Sequence, residues 1–126
     1  MIVGTGVDIA EVNRIQAAVS RFGERFLNRV FTPAELRYCM AKPNAAERLA
    51  ARFAAKEAGM KAIGTGLRFG VTWQDVEVLR MPGQRPVLKF NGKAAEFAAR
   101  LGCKRTHLSL SHTKEQAIAH VILEGE

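Results

Sequence analysis

Disulfide and zinc chemistry have little to work with in this chain, which carries only two cysteines, Cys39 and Cys103, neither in a CxxC or Cys/His spacing. Both are expected as reduced thiols in a cytosolic protein. Long hydrophobic runs are missing as well. The N-terminal apolar stretch, Met1 to Ile9, is too short to span a bilayer and is broken by Gly4, Gly6 and Asp8. It also lacks the basic start and small-residue cleavage site of a signal peptide. A cytoplasmic location with no membrane association is the expectation. Several familiar signatures are absent: no GxSxG, no P-loop, no helix-turn-helix, no RNP motif. One Trp and one Tyr beside seven Phe leave few rings on which bases could stack. A nucleic-acid partner is therefore not expected.

What the chain does have is positive charge, a net +7 on 126 residues. Such a balance attracts nucleic acids, phosphorylated cofactors or acidic proteins, or it simply serves solubility. Apolar content of 48% and charged content of 25% are ordinary for a globular protein. The length favours one domain over residues 1–126, able to bury an adequate core unaided by cross-links.

The pattern reads as α+β, long helices packed on a small, mostly antiparallel sheet. Ile2 to Ile9 alternates, with Val3, Thr5, Val7 and Ile9 on one face and Gly4, Gly6 and Asp8 on the other, so a strand is expected whose glycine side admits a close neighbour. Val12, Ile15 and Val19 give a helix from about Glu11 to Arg21, and a shorter one follows from Arg25 to Val30. Thr32-Pro33-Ala34-Glu35 combines an N-cap, a first-turn proline and a capping-box Glu, opening a helix to about Met40. A long helix runs from Ala45 to Ile63, with Asn44 as candidate N-cap and Gly64 as C-cap. Val76 to Arg80 and Pro86 to Phe90 form a hairpin. A helix over Lys93 to Leu101 ends at Gly102, and a final hairpin pairs His107–Ser111 with Ala117–Leu123.

The long helix carries the chemistry. Glu57 lies four residues after Phe53 and four before Lys61, so the three share a flank. A carboxylate among apolar neighbours is costly unless a cation answers it. With Asp8 it could hold a hard cation such as Mg²⁺, which is often bound by one or two carboxylates plus substrate phosphates. Equally, Asp8 could cap the helix after it, and Glu57 could pair with Lys61 at the surface. Lys61 could orient a phosphate or, with a lowered pKa, take a proton. Arg48, Arg52 and Lys56, four apart, form a basic stripe that phosphates would satisfy, or that solvent does. Gly64-Thr65-Gly66 either presents backbone amides to a phosphate or caps the helix. Arg14, Arg21 and Arg25, near Phe22 and Phe26, offer a basic face with apolar knobs that suits an acidic amphipathic helix. Ser109, Ser111 and His112 could bind a ligand phosphate or cap a turn.

Three blocks, Gly4-Thr5-Gly6-Val7-Asp8-Ile9 with Arg14-Ile15, Arg52 to Ala58 with Lys61 and Gly64-Thr65-Gly66, and Leu108-Ser109-Leu110-Ser111-His112, resemble the holo-acyl-carrier-protein synthases, small bacterial phosphopantetheinyl transferases. The likeness runs from Ile2 to Glu124. It implies the 4'-phosphopantetheinyl transferase fold and an enzyme of fatty acid biosynthesis. Such an enzyme moves the phosphopantetheinyl arm of coenzyme A to a serine of apo acyl carrier protein and releases adenosine bisphosphate. Asp8 and Glu57 would hold Mg²⁺, and Glu57 or Lys61 would take the serine proton. Arg48, Arg52, Lys56, Gly64, Gly66, Ser111 and His112 would attend the phosphates, and Pro86 the nucleotide. Arg14, Arg21 and Arg25 would dock the carrier protein. The resemblance further implies a homotrimer with interfacial sites, Asp8 and Glu57 from one subunit and the Pro86 and His112 regions from its neighbour. Two departures stand out: Gly59 inside the main helix, which costs about 1 kcal/mol relative to Ala or else admits the ligand, and Glu24 within the basic docking set. The competing reading is a non-enzymatic coenzyme A or nucleotide-binding module, against which stand two carboxylates that a pure anion binder does not need.

Overall fold

A single helix occupies the middle of the molecule and the two sheets lie against it. In the computed structural model, which describes residues 1–126, the elements run β1 (Ile2–Glu11), α1 (Val12–Phe22), α2 (Glu24–Val30), α3 (Pro33–Met40), α4 (Ala45–Ile63), a 3-10 turn (Trp73–Asp75), β2 (Val76–Leu79), β3 (Val87–Phe90), α5 (Gly92–Arg100), β4 (Arg105–His112) and β5 (Gln116–Glu124). Strands β1, β5 and β4 form one antiparallel sheet in that order, and β2 and β3 form a second. This is the α+β arrangement the sequence pattern predicts. Every helix and strand contributes to one cluster of 26 buried residues.

Local chemistry sets most boundaries. Thr32 Oγ1 accepts from the Glu35 amide and Glu35 Oε1 accepts from the Thr32 amide, completing the expected capping box. Helix α4 ends where Gly64 takes up φ +80°, a left-handed conformation that glycine adopts without steric cost. Asn44 departs from expectation: its side chain caps nothing and instead accepts from Arg48 Nε at 3.1 Å. The last hairpin is longer than its apolar core suggests, because the ladder continues to Arg105 opposite Glu124.

Helix α4 is rich in alanine, a strong helix former with a small side chain, and the sheet exploits that. The face of β1 toward α4 carries Gly4, Gly6, Asp8 and Ala10. A Cβ on Gly4 would collide with the carbonyl oxygen of Ala62, and one on Gly6 with that of Ala58. The expected close neighbour of the glycine face is thus the helix backbone. The other face of β1 turns outward, leaving Val7 and Ile9 52% and 57% exposed beside Ile118 of β5. Gly59 does the same work for the second sheet. Its missing side chain would sit 2.9 Å from Val76 Cγ1 and 3.0 Å from Leu88 Cδ2. The idea that Gly59 admits a ligand is therefore corrected: it admits β2 and β3.

Gly6→Ala is expected to destabilise the protein by about 3 kcal/mol or more, since backbone meets backbone and neither can rotate away. Urea unfolding measures this, and a loss under about 0.5 kcal/mol, the range of an innocuous surface change, would refute the packing argument.

Candidate active site

Alternation along β1 and the contact of Gly6 with α4 carry Asp8 to the same pocket as Glu57. The pocket, about 690 Å³, is lined by both carboxylates together with Arg14, Phe26, Phe53 and Gln116. Burial pushes the Glu57 carboxyl up from its ordinary value, and the nearby Asp8 charge pushes it further, while Lys61 and Arg14 oppose both. Two carboxylates facing one cavity, one of them reluctant to ionise, form a donor set that a hard divalent cation fits. Glu11 lines the same pocket but accepts from Gln116 Nε2 at 2.9 Å, and no group of three His, Cys, Asp or Glu is arranged to hold a metal; Mg²⁺ commonly completes its shell with water and phosphate oxygens.

Lys61 supplies the local positive charge. Its ammonium donates to Asp8 Oδ1 at 2.8 Å and to the Val7 carbonyl at 3.1 Å. The bond to Asp8 raises the Lys61 pKa, so the lowered value that a lysine base requires is not found. Lys61 stays a cation at neutral pH. Glu57 and Lys61 also border a smaller cavity of about 210 Å³ with Gly66, Leu67 and Trp73.

A second pocket, about 410 Å³, gathers Arg48, Arg52, Arg80 and Arg85 with Pro86, Ser109 and His112. His112 Nδ1 lies 3.2 Å from Glu47 Oε1. Arg48, Arg52, Pro86 and His112 are thus brought together with Ser109, whereas Ser111 borders a neighbouring depression with Ile9 and His112. Arg80 and Arg85 were not singled out from sequence. The signal was the Pro82-Gly83-Gln84 turn, which folds back and sets its two flanking arginines at one end of the β2–β3 hairpin.

Two expectations are overturned. Lys56 does not continue the stripe of Arg48 and Arg52: it is wholly buried, and its ammonium donates to Glu35 Oε1 at 2.7 Å. Desolvation lowers its pKa and Glu35 opposes that. Glu35 also accepts from the amides of Thr32 and Val78, so the pair ties α3, α4 and β2 together with no route to a phosphate. The amides of Gly64, Thr65 and Gly66 likewise have no free donor to offer, because all three bond to the last carbonyls of α4, at Lys61 and Met60. Capping is their role, although Gly66 still borders the small cavity.

The two pockets look out from different sides of α4. Glu57 follows Arg48 by nine positions, which at about 100° per residue turns it roughly 180° away and carries it about 14 Å along the axis. Of the expected docking arginines, Arg14 sits at the Asp8–Glu57 pocket and Arg21 Cζ lies 5.2 Å from the Phe22 ring centre. Phe22 is half exposed, while Phe26 packs edge-on against Phe31 at 6.0 Å.

Comparison with known proteins shows the family. Residues 4–121 match the family model of the 4'-phosphopantetheinyl transferase superfamily. A holo-[acyl-carrier-protein] synthase of Koribacter versatilis is 64% identical over 98% of this chain and 99% of its own. That of Solibacter usitatus is 56% identical over 99% and 100%. Among solved structures, the synthase of Neisseria meningitidis superposes with a TM-score of 0.87 at 33% identity, covering 98% of this chain and 99% of that one. The Bacillus anthracis synthase, in complex with CoA (3',5'-ADP), gives 0.80 at 37% identity over 100% and 99%. The chain belongs to the 4'-phosphopantetheinyl transferase superfamily, among the holo-[acyl-carrier-protein] synthases, and is an enzyme.

Glu35→Ala is expected to cost about 3–5 kcal/mol, because it strands the Lys56 ammonium in the core. Denaturant titration would show it, and a loss below about 1 kcal/mol would mean that water or another group reaches Lys56.

Proposed function

We propose that this enzyme transfers the 4'-phosphopantetheine group of coenzyme A to a serine of apo acyl carrier protein, with Mg²⁺, releasing adenosine 3',5'-bisphosphate. The observation that carries this reading is the pair of carboxylates, Asp8 and Glu57, facing one pocket of a strongly basic chain. A protein that only binds anions gains nothing from them. The coenzyme A bound to the Bacillus anthracis relative supports the choice of donor.

In this reading the serine oxygen attacks the phosphorus that carries the pantetheine arm, the pyrophosphate bond breaks, and the nucleotide leaves with its phosphate. Mg²⁺ held by Asp8 and Glu57 would neutralise the charge that grows on the leaving phosphate. Lys61, held as a cation by Asp8, is poorly suited to accept the serine proton, so Glu57 would accept it, directly or through water. Lys61, kept protonated by Asp8, would contact a phosphate. Arg48, Arg52 and His112 would hold the remaining phosphates, with Pro86 against the nucleotide. Arg14, Arg21 and Arg25 would dock the acidic carrier.

One copy presents the carboxylates and the arginine pocket on opposite sides of α4, and the outer face of its sheet leaves Val7, Ile9 and Ile118 exposed. Both facts support a homotrimer in which that face is buried and a site is completed by two neighbours. The free cysteines fit a cytoplasmic enzyme.

The decisive assay is intact mass spectrometry of apo acyl carrier protein incubated with the enzyme, coenzyme A and Mg²⁺. A gain of one phosphopantetheinyl group, abolished by a chelator, is expected. No gain from a folded sample would favour the binding module. Asp8→Ala and Glu57→Ala should each lower the rate at least about a hundredfold with the melting curve preserved, and near-normal turnover in both would remove the metal assignment. Arg21→Ala with Arg25→Ala should raise the KM for carrier protein about tenfold and leave that for coenzyme A within about twofold. Equal losses for both substrates would exclude the docking role. These factors correspond to about 1.4 kcal/mol per tenfold.

A further inference from the structure

The single tyrosine of the chain lies among four cations. The ring centre of Tyr38 is 4.5 Å from Arg52 Cζ, 5.2 Å from Lys42 Nζ, 5.6 Å from Arg80 Cζ and 5.7 Å from Arg48 Cζ. Each is within the reach of a cation–π attraction. The phenolic oxygen also accepts from Arg48 Nη1 at 3.0 Å. The four cations arrive from three separate places: the end of α3, two turns of α4 and the end of β2. None of them forms a salt bridge to a carboxylate. Arg48, Arg52 and Arg80 go on to line the 410 Å³ pocket.

Four like charges do not collect in one place without something to hold them. A carboxylate would do it, but would also neutralise the array and spoil it for an anion. An aromatic ring attracts the guanidinium groups without cancelling their charge, and leaves those of Arg52 and Arg80, and Nη2 of Arg48, able to donate to phosphate. We infer that Tyr38 is a positioning residue for substrate binding: its ring and hydroxyl gather Arg48, Arg52 and Arg80 into one array that binds the phosphates of the nucleotide, with Arg80 a further binding residue. This rests on reading the arginine pocket as the coenzyme A site.

The test is calorimetric binding of coenzyme A and of adenosine 3',5'-bisphosphate to wild type, Tyr38→Phe, Tyr38→Leu and Arg80→Gln, alongside steady-state kinetics and thermal melts. Tyr38→Leu should weaken both ligands about tenfold and raise the KM for coenzyme A in step, while kcat at saturation stays within about twofold. Tyr38→Phe keeps the ring and should recover binding to within about threefold of wild type. Arg80→Gln, on the exposed end of β2, leaves the core untouched and should weaken binding by about three- to tenfold, so the inference stays testable even if Tyr38→Leu melts. A merely structural tyrosine would lower the melting temperature with ligand affinity unchanged, and that result would overturn the inference. So would Tyr38→Phe binding as poorly as Tyr38→Leu, or Arg80→Gln binding as wild type. If wild type itself binds neither ligand, the site reading fails and takes this inference with it.

Discussion

The approach of β1 to the backbone of α4 is the constraint from which the rest follows. Gly4 and Gly6 lie where any side chain would collide with the carbonyls of Ala62 and Ala58. That closeness lets a helix and a sheet share one layer of small residues. It also fixes the neighbour in the alternation: two residues past Gly6, on the same face, Asp8 must reach the pocket into which Glu57 looks. The same contact turns Val7 and Ile9 to the outside, so one packing decision creates both the carboxylate pair and an apolar outer surface.

Charge is handled differently on the successive turns of α4. In its middle, Lys56 is neutralised by Glu35 and sealed in the core. One turn on, Lys61 is paired with Asp8 but stays half exposed, at 53% of its side chain. At its beginning, Arg48 and Arg52 have no carboxylate partner and surround an aromatic ring instead. Burial with a partner stabilises a fold only when both charges are present, which is why the inner pair makes a poor ligand site. Arg52 is 3% exposed and, like Arg48, has only the tyrosine ring to answer its charge until an anion arrives.

Much of this was legible in the sequence where the cause is local. The Thr32–Glu35 capping box, the Gly64 terminus, the helix periods and the turn after β2 depend on residues a few positions apart, and each lies where its pattern places it. The role of Lys56 was not legible. Its four-residue spacing from Arg52 matches that of Arg52 from Arg48, and only Glu35, distant in sequence, distinguishes them. The three amides after Ile63 present a similar ambiguity: a glycine-rich turn reads alike whether its donors face a phosphate or the last carbonyls of a helix. The protonation behaviour of Lys61 depends on a strand 53 residues away. Tyr38 gave no signal because four cations converge on it from segments that sequence spacing does not connect.

Glu57 is the residue where stability and activity pull apart. Its folded environment favours the protonated form, so with the carboxylate ionised at neutral pH it weakens the protein that carries it. Two other carboxylates are free of such conflict: Glu35 has three donors, and Glu124 has Arg105 and His107, which hold its pKa down at about 2. A carboxylate left partly desolvated beside another of like charge has no structural justification within one copy of the chain. It becomes intelligible under the proposed reaction, in which a cation and a substrate phosphate would complete the pocket and supply the interactions missing from the resting enzyme. The arginine array shows the same logic with the opposite sign. Under the proposed reaction, a polyphosphate, a divalent cation and a neighbouring subunit would bring together the carboxylate pair on one flank of the helix and the arginines on the other.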